Sequence, residues 1–81
     1  MSGTEERVIE IIEELSSSEV ESHEQKLKDD LGLDSLNTVI LIVTIEDTFE
    51  IELQESDMNP AIFNTVGDVI NLVNRYVEAK E

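Results

Sequence analysis

The chain contains no cysteine and no tryptophan, and its 81 residues include one histidine, one proline and only five basic side chains against twenty acidic ones. Without cysteine it cannot form disulfides, thiolate metal sites or a thiol nucleophile. Its formal net charge of −15 opposes binding to nucleic acids and to anionic membranes, because the approach to a phosphate surface is repulsive. Basic proteins are therefore the expected partners.

Long hydrophobic runs are also missing from the sequence. No stretch approaches the roughly 20 apolar residues of a membrane span, and the acidic segment Met1–Glu6 lacks the apolar centre of a secretory signal. A chain of 81 residues has room for one small domain. We therefore expect a cytoplasmic monomer with a single domain over residues 1–81.

The chain offers little that could support catalysis. His23 lies in a polar stretch and is expected to be a solvated loop residue, and the sequence does not pair a nucleophile with a base. Asp29, Asp30 and Asp34 lack the alternate spacing and the closing glutamate of a calcium loop. These patterns predict that the protein is not an enzyme and has no metal site beyond loose binding of divalent cations.

Two segments show the periodicity of amphipathic helices. Thr4–Leu15 alternates an apolar stripe with a glutamate-rich face, and Thr4 is placed to cap it. A last helix is predicted to follow Thr65, because Asp68 three residues later completes a capping box and an apolar stripe continues behind it.

The central segment Leu36–Phe49 is ambiguous, because its run Val39–Ile45 is rich in the β-branched residues that favour strands. Its length without glycine or proline favours a helix. A short third helix is expected within Glu52–Asn64, and a long, partly ordered loop within Ser16–Asp34. Together these elements predict an all-α fold, a small four-helix bundle with a short third helix and a long first loop.

The predicted core and any pocket between the helices draw apolar residues from the three long helices. They are Leu36, Val39, Val43 and Phe49 of the central helix, Val8 and Ile12 of the first helix, and Val69 and Val73 of the last.

One short motif, Leu31–Leu36, stands at the start of the central helix. Gly32 permits a turn, and Asp34 or Ser35 can cap the helix. A phosphate ester on Ser35 would lie at the positive end of the helix dipole, which favours an anion. The same residues are also consistent with a cap alone.

The motif and its surroundings resemble the acyl carrier proteins, in which the serine of an Asp-Ser-Leu sequence carries a 4′-phosphopantetheine arm. That serine corresponds to Ser35, flanked by Asp34 and Leu36. The resemblance extends along the chain through Leu27, seven residues before Asp34, through Phe49 near the end of the central helix, and through Thr65-Val66 at the start of the last. It also favours the helical interpretation of the central segment.

The resemblance implies that coenzyme A donates the arm in a magnesium-dependent step catalysed by a phosphopantetheinyl transferase, and that the arm's thiol holds an acyl group as a thioester. Ser35 would then be a substrate, because it has no base of its own. Partners would include acyl-loading, condensing or transferring enzymes that present basic docking patches to the second helix. The residues expected to meet them are Asn37, Ile40, Glu46, Asp47 and Glu50.

Two departures from the fatty-acid type of carrier bear on partner and cargo. The family often has acidic residues two and five positions after the serine, where this chain has Asn37 and Ile40. Compared with that type, the stretch before the motif is also shorter and the one after the second helix longer. The longer second stretch, with Phe63 just before Thr65, resembles aminoacyl carriers of the D-alanine type, whereas Leu36 argues against them, because their serine is usually followed by methionine. A specialised carrier in fatty-acid-like, polyketide or other biosynthesis is predicted, and an aminoacyl carrier or an unmodified acidic helical adaptor that binds basic partners remains open.

Overall fold

A computed structural model describes residues 3–59 and 62–80 of the chain. Three α-helices lie within them, α1 (Gly3–Ser16), α2 (Ser35–Phe49) and α3 (Val66–Lys80), with a 3-10 helix over Glu55–Met58. The described ranges contain no β-strand, only an isolated antiparallel bridge between Lys26 and Thr65. The predicted all-α class is confirmed, and so is the helical interpretation of the central segment. None of the helices in these ranges has both the length and the apolar character that crossing a membrane requires.

Helix α1 packs against both α2 and α3. It buries Val8 and Ile12, and it places Glu5 and Glu6 in its first turn, at the positive end of its dipole. The predicted cap is wrong: the helix already includes Gly3, so Thr4 lies inside the first turn instead of preceding it.

The predicted capping box of α3 is confirmed. The hydroxyl of Thr65 accepts a hydrogen bond from the backbone N–H of Asp68 at 3.2 Å, and the Asp68 carboxylate accepts one from the N–H of Thr65 at 3.1 Å. The same carboxylate accepts a bond from the N–H of Asn64 at 3.2 Å. Three backbone donors at the start of α3 are thereby satisfied locally.

The predicted third helix is reduced to a single 3-10 turn over Glu55–Met58. The chain before it is not helical, and it buries Ile51 and Leu53 against the core. Tyr76 of α3 secures the turn: its hydroxyl accepts a hydrogen bond from the N–H of Gln54 at 3.0 Å and donates one to the Asp57 carboxylate. The part of the prediction that concerned Pro60 lies outside the described residues.

The core is aliphatic apart from Phe63, and it draws on all three helices and both long connections. The α1 and α3 residues predicted to be buried are buried, but the predicted face of α2 is wrong: Leu36, Val39 and Val43 are exposed. Seven of the ten residues from Leu36 to Ile45 are apolar, so hydrophobic periodicity could not identify the inward face. The buried α2 residues are Thr38, Leu41, Ile42 and Ile45, and Phe49 packs partly buried against the core.

The long first loop is better anchored than its polar composition suggests. Its three leucines Leu27, Leu31 and Leu33 are buried in the core. The N–H of Leu27 donates to the carbonyl of Asn64 at 2.9 Å, and the N–H of Val66 donates to the carbonyl of Gln25 at 3.0 Å. These bonds fasten the loop to the start of α3 and bring both segments beside the N-terminus of α2.

Candidate functional site

Ser35 is the first residue of α2, and its side chain is exposed. Its hydroxyl makes no hydrogen bond to any of the residues described, 3–59 and 62–80. The Ser35 oxygen is therefore presented to solvent at a helix N-terminus, where it is accessible to an external enzyme.

Asp34 sets the start of α2 and so the position of Ser35. Its extended backbone, with φ −79° and ψ −174°, is that of an N-cap, and its carboxylate accepts a hydrogen bond from the N–H of Asn37 at 2.9 Å. Its carbonyl accepts two more bonds at 2.9 Å, from the N–H and the hydroxyl of Thr38. Because Thr38 is itself buried, Asp34 and the first turn of α2 are tied to the core.

A compact turn leads the chain into this cap. The N–H groups of Asp30 and Leu31 donate to the carbonyl of Lys26 at 3.0 and 3.1 Å, and that of Leu33 donates to the carbonyl of Leu27 at 2.7 Å. Gly32 has φ +72°, the left-handed region in which a side chain is unfavourable. The sequence prediction that Gly32 serves a turn is confirmed by this geometry.

A cleft of about 520 Å³ opens beside Ser35. Its walls come from the turn, the start of α2 and the segments on either side of residues 60–61. The lining residues are Lys26, Leu27, Lys28, Asp29, Leu33, Asp34, Ser35, Thr38, Asn59, Phe63 and Asn64. The lining therefore joins two lysines, two aspartates and two side-chain amides to a floor of buried leucine and phenylalanine.

The charge of the cleft differs from that of the rest of the molecule. Two of the five basic residues of the chain, Lys26 and Lys28, line it, and the two aspartates of the lining balance them. The ion pairs of the described residues join His23 to Glu5 and Arg75 to Asp57, so neither lysine is held by a carboxylate there. The cleft is electrically balanced in a chain that otherwise carries a large negative charge.

No base among the described residues accepts a hydrogen bond from the Ser35 hydroxyl. His23, the single histidine of the chain, does not line the cleft, and its Nε2 lies 3.2 Å from the carboxylate of Glu5 on α1. It is half exposed, as expected for a solvated loop residue. Within the described ranges no cluster of histidine, aspartate or glutamate side chains could hold a metal ion.

The outer face of α2 carries an apolar stripe that begins next to Ser35. We call this set the α2 stripe: Leu36, Val39, Ile40 and Val43, with 69%, 41%, 41% and 51% of their surface exposed. Leu36 and Val43 each lie three or four residues from Val39 and Ile40, which places all four side chains on one side of the helix. No charged residue occurs between Ser35 and Ile45.

The acidic residues expected to meet partners lie at the other end of α2, and they differ in environment. Asp47 is exposed, and Glu50 ends the helix in the left-handed conformation with φ 55°. Glu46 is half-buried, and its carboxylate accepts a hydrogen bond from the N–H of Leu53 at 2.9 Å. Asn37 is half-buried at the start of the helix, where its N–H is taken by Asp34.

Sequence reasoning did not include Lys26, Lys28, Thr38 or Asn64 in the site. Thr38 and Asn64 give no local signal, because their positions depend on packing and on a loop contact distant in sequence. The lysines do give one: two of the five basic residues stand within three positions of each other, shortly before Ser35.

The sequence is similar to a known protein family and to individual proteins of two bacteria. Residues 6–73 match the family described as phosphopantetheine attachment site. The chain is 38% identical over 65 residues to an acyl carrier protein of Campylobacter jejuni, covering 79% of this chain and 82% of that protein. It is 39% identical over 69 residues to an acyl carrier protein of Clostridium perfringens, covering 84% and 88%.

The fold is also found among solved structures. A crystal structure of an acyl carrier protein from Thermotoga maritima superposes with a TM-score of 0.76 at 23% identity, covering 94% of this chain and 88% of that one. At this identity the similarity concerns the fold alone.

Proposed function

Because the chain belongs to the acyl carrier protein family and bears a phosphopantetheine attachment domain, we propose that Ser35 is the residue to which the arm is attached. The observation that supports this assignment is the exposed hydroxyl of Ser35 at the first position of α2, beside the 520 Å³ cleft. We further propose that residues 1–81 act as a single carrier domain.

The protein is a carrier and not a catalyst. The 4′-phosphopantetheine group supplies a thiol on which an acyl group is held as a thioester. The chain's own contribution is to hold Ser35 in place: Asp34 caps α2, Thr38 ties the cap to the core, and Gly32 allows the preceding turn. Because its hydroxyl makes no hydrogen bond to a base among the described residues, Ser35 depends on the transferase for its activation.

The residues around Ser35 fit such a group chemically. A phosphodiester needs cations or N–H donors, and the cleft lining includes Lys26 and Lys28. The pantetheine amides need polar partners, and the lining also includes Asn64 and Thr38. Leu36 follows the attachment residue and is largely exposed, so it lies where an incoming transferase must approach Ser35.

The partner surface that we propose is α2, with its two ends performing different tasks. The α2 stripe beside Ser35 would be covered by an apolar surface of the partner, because exposed contiguous apolar residues favour burial. Asp47 and Glu50 would steer basic residues to the far end of the helix, raising the association rate more than the affinity. Glu46 would add to this field while its carboxylate remains bonded to Leu53.

This division supports a specialised carrier over the fatty-acid type, because Asn37 and Ile40 stand where that type often has acidic residues. The names of the curated relatives favour an acyl cargo over an aminoacyl one. An unmodified adaptor would have no need of an exposed serine at the mouth of a balanced cleft. The cytoplasmic location and the monomeric state stay predictions.

The experiment is to incubate the protein with coenzyme A, magnesium and a broad-specificity phosphopantetheinyl transferase and to measure the intact mass. The wild-type chain and Ser56→Ala are expected to gain one phosphopantetheinyl group, whereas Ser35→Ala is not. Ser56 is a matched control, because it is an exposed serine in the 3-10 helix. Failure of the wild type to load, beside a carrier that does, would favour the adaptor.

A further inference from the structure

The two lysines of the cleft have no assigned role in carrying an acyl group. They occur in a chain of twenty carboxylates, where a lysine at random on the surface would be expected to meet an acidic neighbour. Yet neither Lys26 nor Lys28 forms an ion pair with any residue in the described ranges. Both line the same cleft as Ser35.

The backbone that carries these lysines is held firmly. The N–H of Lys26 donates to the carboxylate of Asp30 at 2.7 Å, and its carbonyl accepts bonds from the N–H groups of Asp30 and Leu31. Between the lysines, Leu27 is buried and bonded to Asn64. The nearby carboxylate of Asp30 thus satisfies the loop backbone, and both lysines lie in the lining of the cleft.

We propose that Lys26 and Lys28 bind the phosphodiester of the arm on Ser35 and direct the arm across the cleft. This inference rests on the proposed attachment at Ser35. The lysines offset the carboxylates of Asp29 and Asp34, which line the same cleft and would repel the phosphate. Without the lysines, a third negative charge would be added to two aspartates in a chain that already carries −15.

The proposed role of the lysines is tested by whether attaching the arm to Ser35, which we call loading, raises or lowers the melting temperature. The melting temperature Tm of the unloaded and loaded forms is measured at low ionic strength for the wild type, Lys26→Gln/Lys28→Gln and Arg7→Gln/Arg75→Gln. The last variant has the same net charge as the lysine variant, but its substitutions lie outside the cleft lining. Intact mass shows that each loaded sample carries one arm, and circular dichroism shows that each variant is folded.

Loading is expected to leave Tm unchanged or raised in the wild type and in the arginine variant. In the lysine variant it is expected to lower Tm by roughly 1–5 °C, the range that exposed charge pairs produce in a domain of this size. In the wild type the amide shifts of Lys26, Lys28 and Asn64 should also change on loading. The single variant Lys28→Gln repeats the test with an intermediate effect.

Equal changes of Tm in all three proteins, with amide shifts confined to Ser35 and its chain neighbours, would overturn the inference and leave the proposed attachment standing. A wild-type mass without the arm would instead contradict the proposed attachment, and the inference would fall with it.

Discussion

The carboxylate of Glu46 reaches from the last turns of α2 to the chain beyond it, where it accepts a hydrogen bond from the backbone N–H of Leu53 at 2.9 Å. Leu53 is buried, so this bond satisfies a backbone donor beside the core. Asp47, the next residue, is exposed and has no such bond among the described residues. Glu46 therefore has a structural role, whereas the adjacent Asp47 is available to a partner.

Glu46→Ala is expected to lower the free energy of unfolding by about 1–2 kcal/mol, because it leaves the Leu53 N–H without its charged acceptor. Asp47→Asn should change it by less than about 0.5 kcal/mol, but it should slow association with a basic partner, most strongly at low salt. Urea denaturation and stopped-flow association with the transferase give the two quantities. Equal loss of stability in both variants would contradict the distinction.

The cap of α2 is expected to be worth a measurable part of the stability. Asp34→Ala removes the acceptor for the N–H of Asn37 and should cost about 1 kcal/mol, whereas Asp34→Asn keeps a side-chain oxygen and should cost less. Urea denaturation compares the two variants. If Asp34→Asn were as destabilising as Asp34→Ala, the charge of Asp34 and not its capping geometry would be responsible.

Substitution of Gly32 is expected to destabilise the fold through its backbone conformation and not through a steric clash. A Cβ at this position would meet no atom within 4 Å, but φ is +72°. Gly32→Ala is therefore expected to cost about 1 kcal/mol of unfolding free energy, and Gly32→Asn should cost less because asparagine tolerates this conformation better. The measurement is the denaturation midpoint, and a neutral Gly32→Ala would show that the turn relaxes to another conformation.

Ile40→Glu places a carboxylate in the middle of the α2 stripe, where the fatty-acid type of carrier often has one. If the partner surface opposite is apolar, the KM of a transferase that uses this face should rise about tenfold, because a charge must be desolvated there. Helicity should not change, since Ile40 is exposed. Asn71→Glu adds the same charge at an exposed position of α3 and should leave KM unaltered. Loss of helicity in Ile40→Glu, or an unchanged KM, would reject this account of the stripe.

Ionisation of Tyr76 is expected to lower the free energy of unfolding at alkaline pH. Its hydrogen bond to the Asp57 carboxylate raises the pKa of the Tyr76 hydroxyl above its ordinary value of 10.0, with partial burial adding to the rise and the bond from the Gln54 N–H opposing it. The unfolded chain then loses the proton at lower pH than the folded one, so the contribution is present below pH 10 and is lost as pH rises through the folded pKa. Urea denaturation of wild type and Tyr76→Phe between pH 8 and about 11.5 isolates this step from lysine titration. Parallel pH profiles would contradict the prediction.

Local signals predicted the parts of the fold that depend on local interactions. The capping box of Thr65 and Asp68 and the amphipathic stripe of α1 were predicted correctly, because their partners lie within a few residues. The inward face of α2 could not be predicted, because apolar residues occur all around it. Tertiary packing chooses Leu41 and Ile42 over Val39 and Val43.

The site likewise contains residues that local sequence predicted and residues that only the tertiary structure places there. Asp34, Ser35 and Gly32 form one short motif, so their spacing alone indicated a turn followed by a capped helix. The wall of the cleft that includes Asn64 is different, because the bridge between Lys26 and Thr65 joins segments far apart in the chain. A contact of that sequence separation leaves no periodic trace. The structural role of Glu46 is likewise set by the course of the chain after α2.

The central claim is that the arm is attached at Ser35, and the most direct test is to locate it. The loaded protein is cleaved by a protease, and the peptide that spans Ser35 is fragmented in a tandem mass spectrometer. We expect the added phosphopantetheinyl mass on Ser35, and none on Ser16–Ser18, Ser22 or Ser56. An added mass on any other residue, or an unmodified Ser35 peptide from a fully loaded sample, would contradict it.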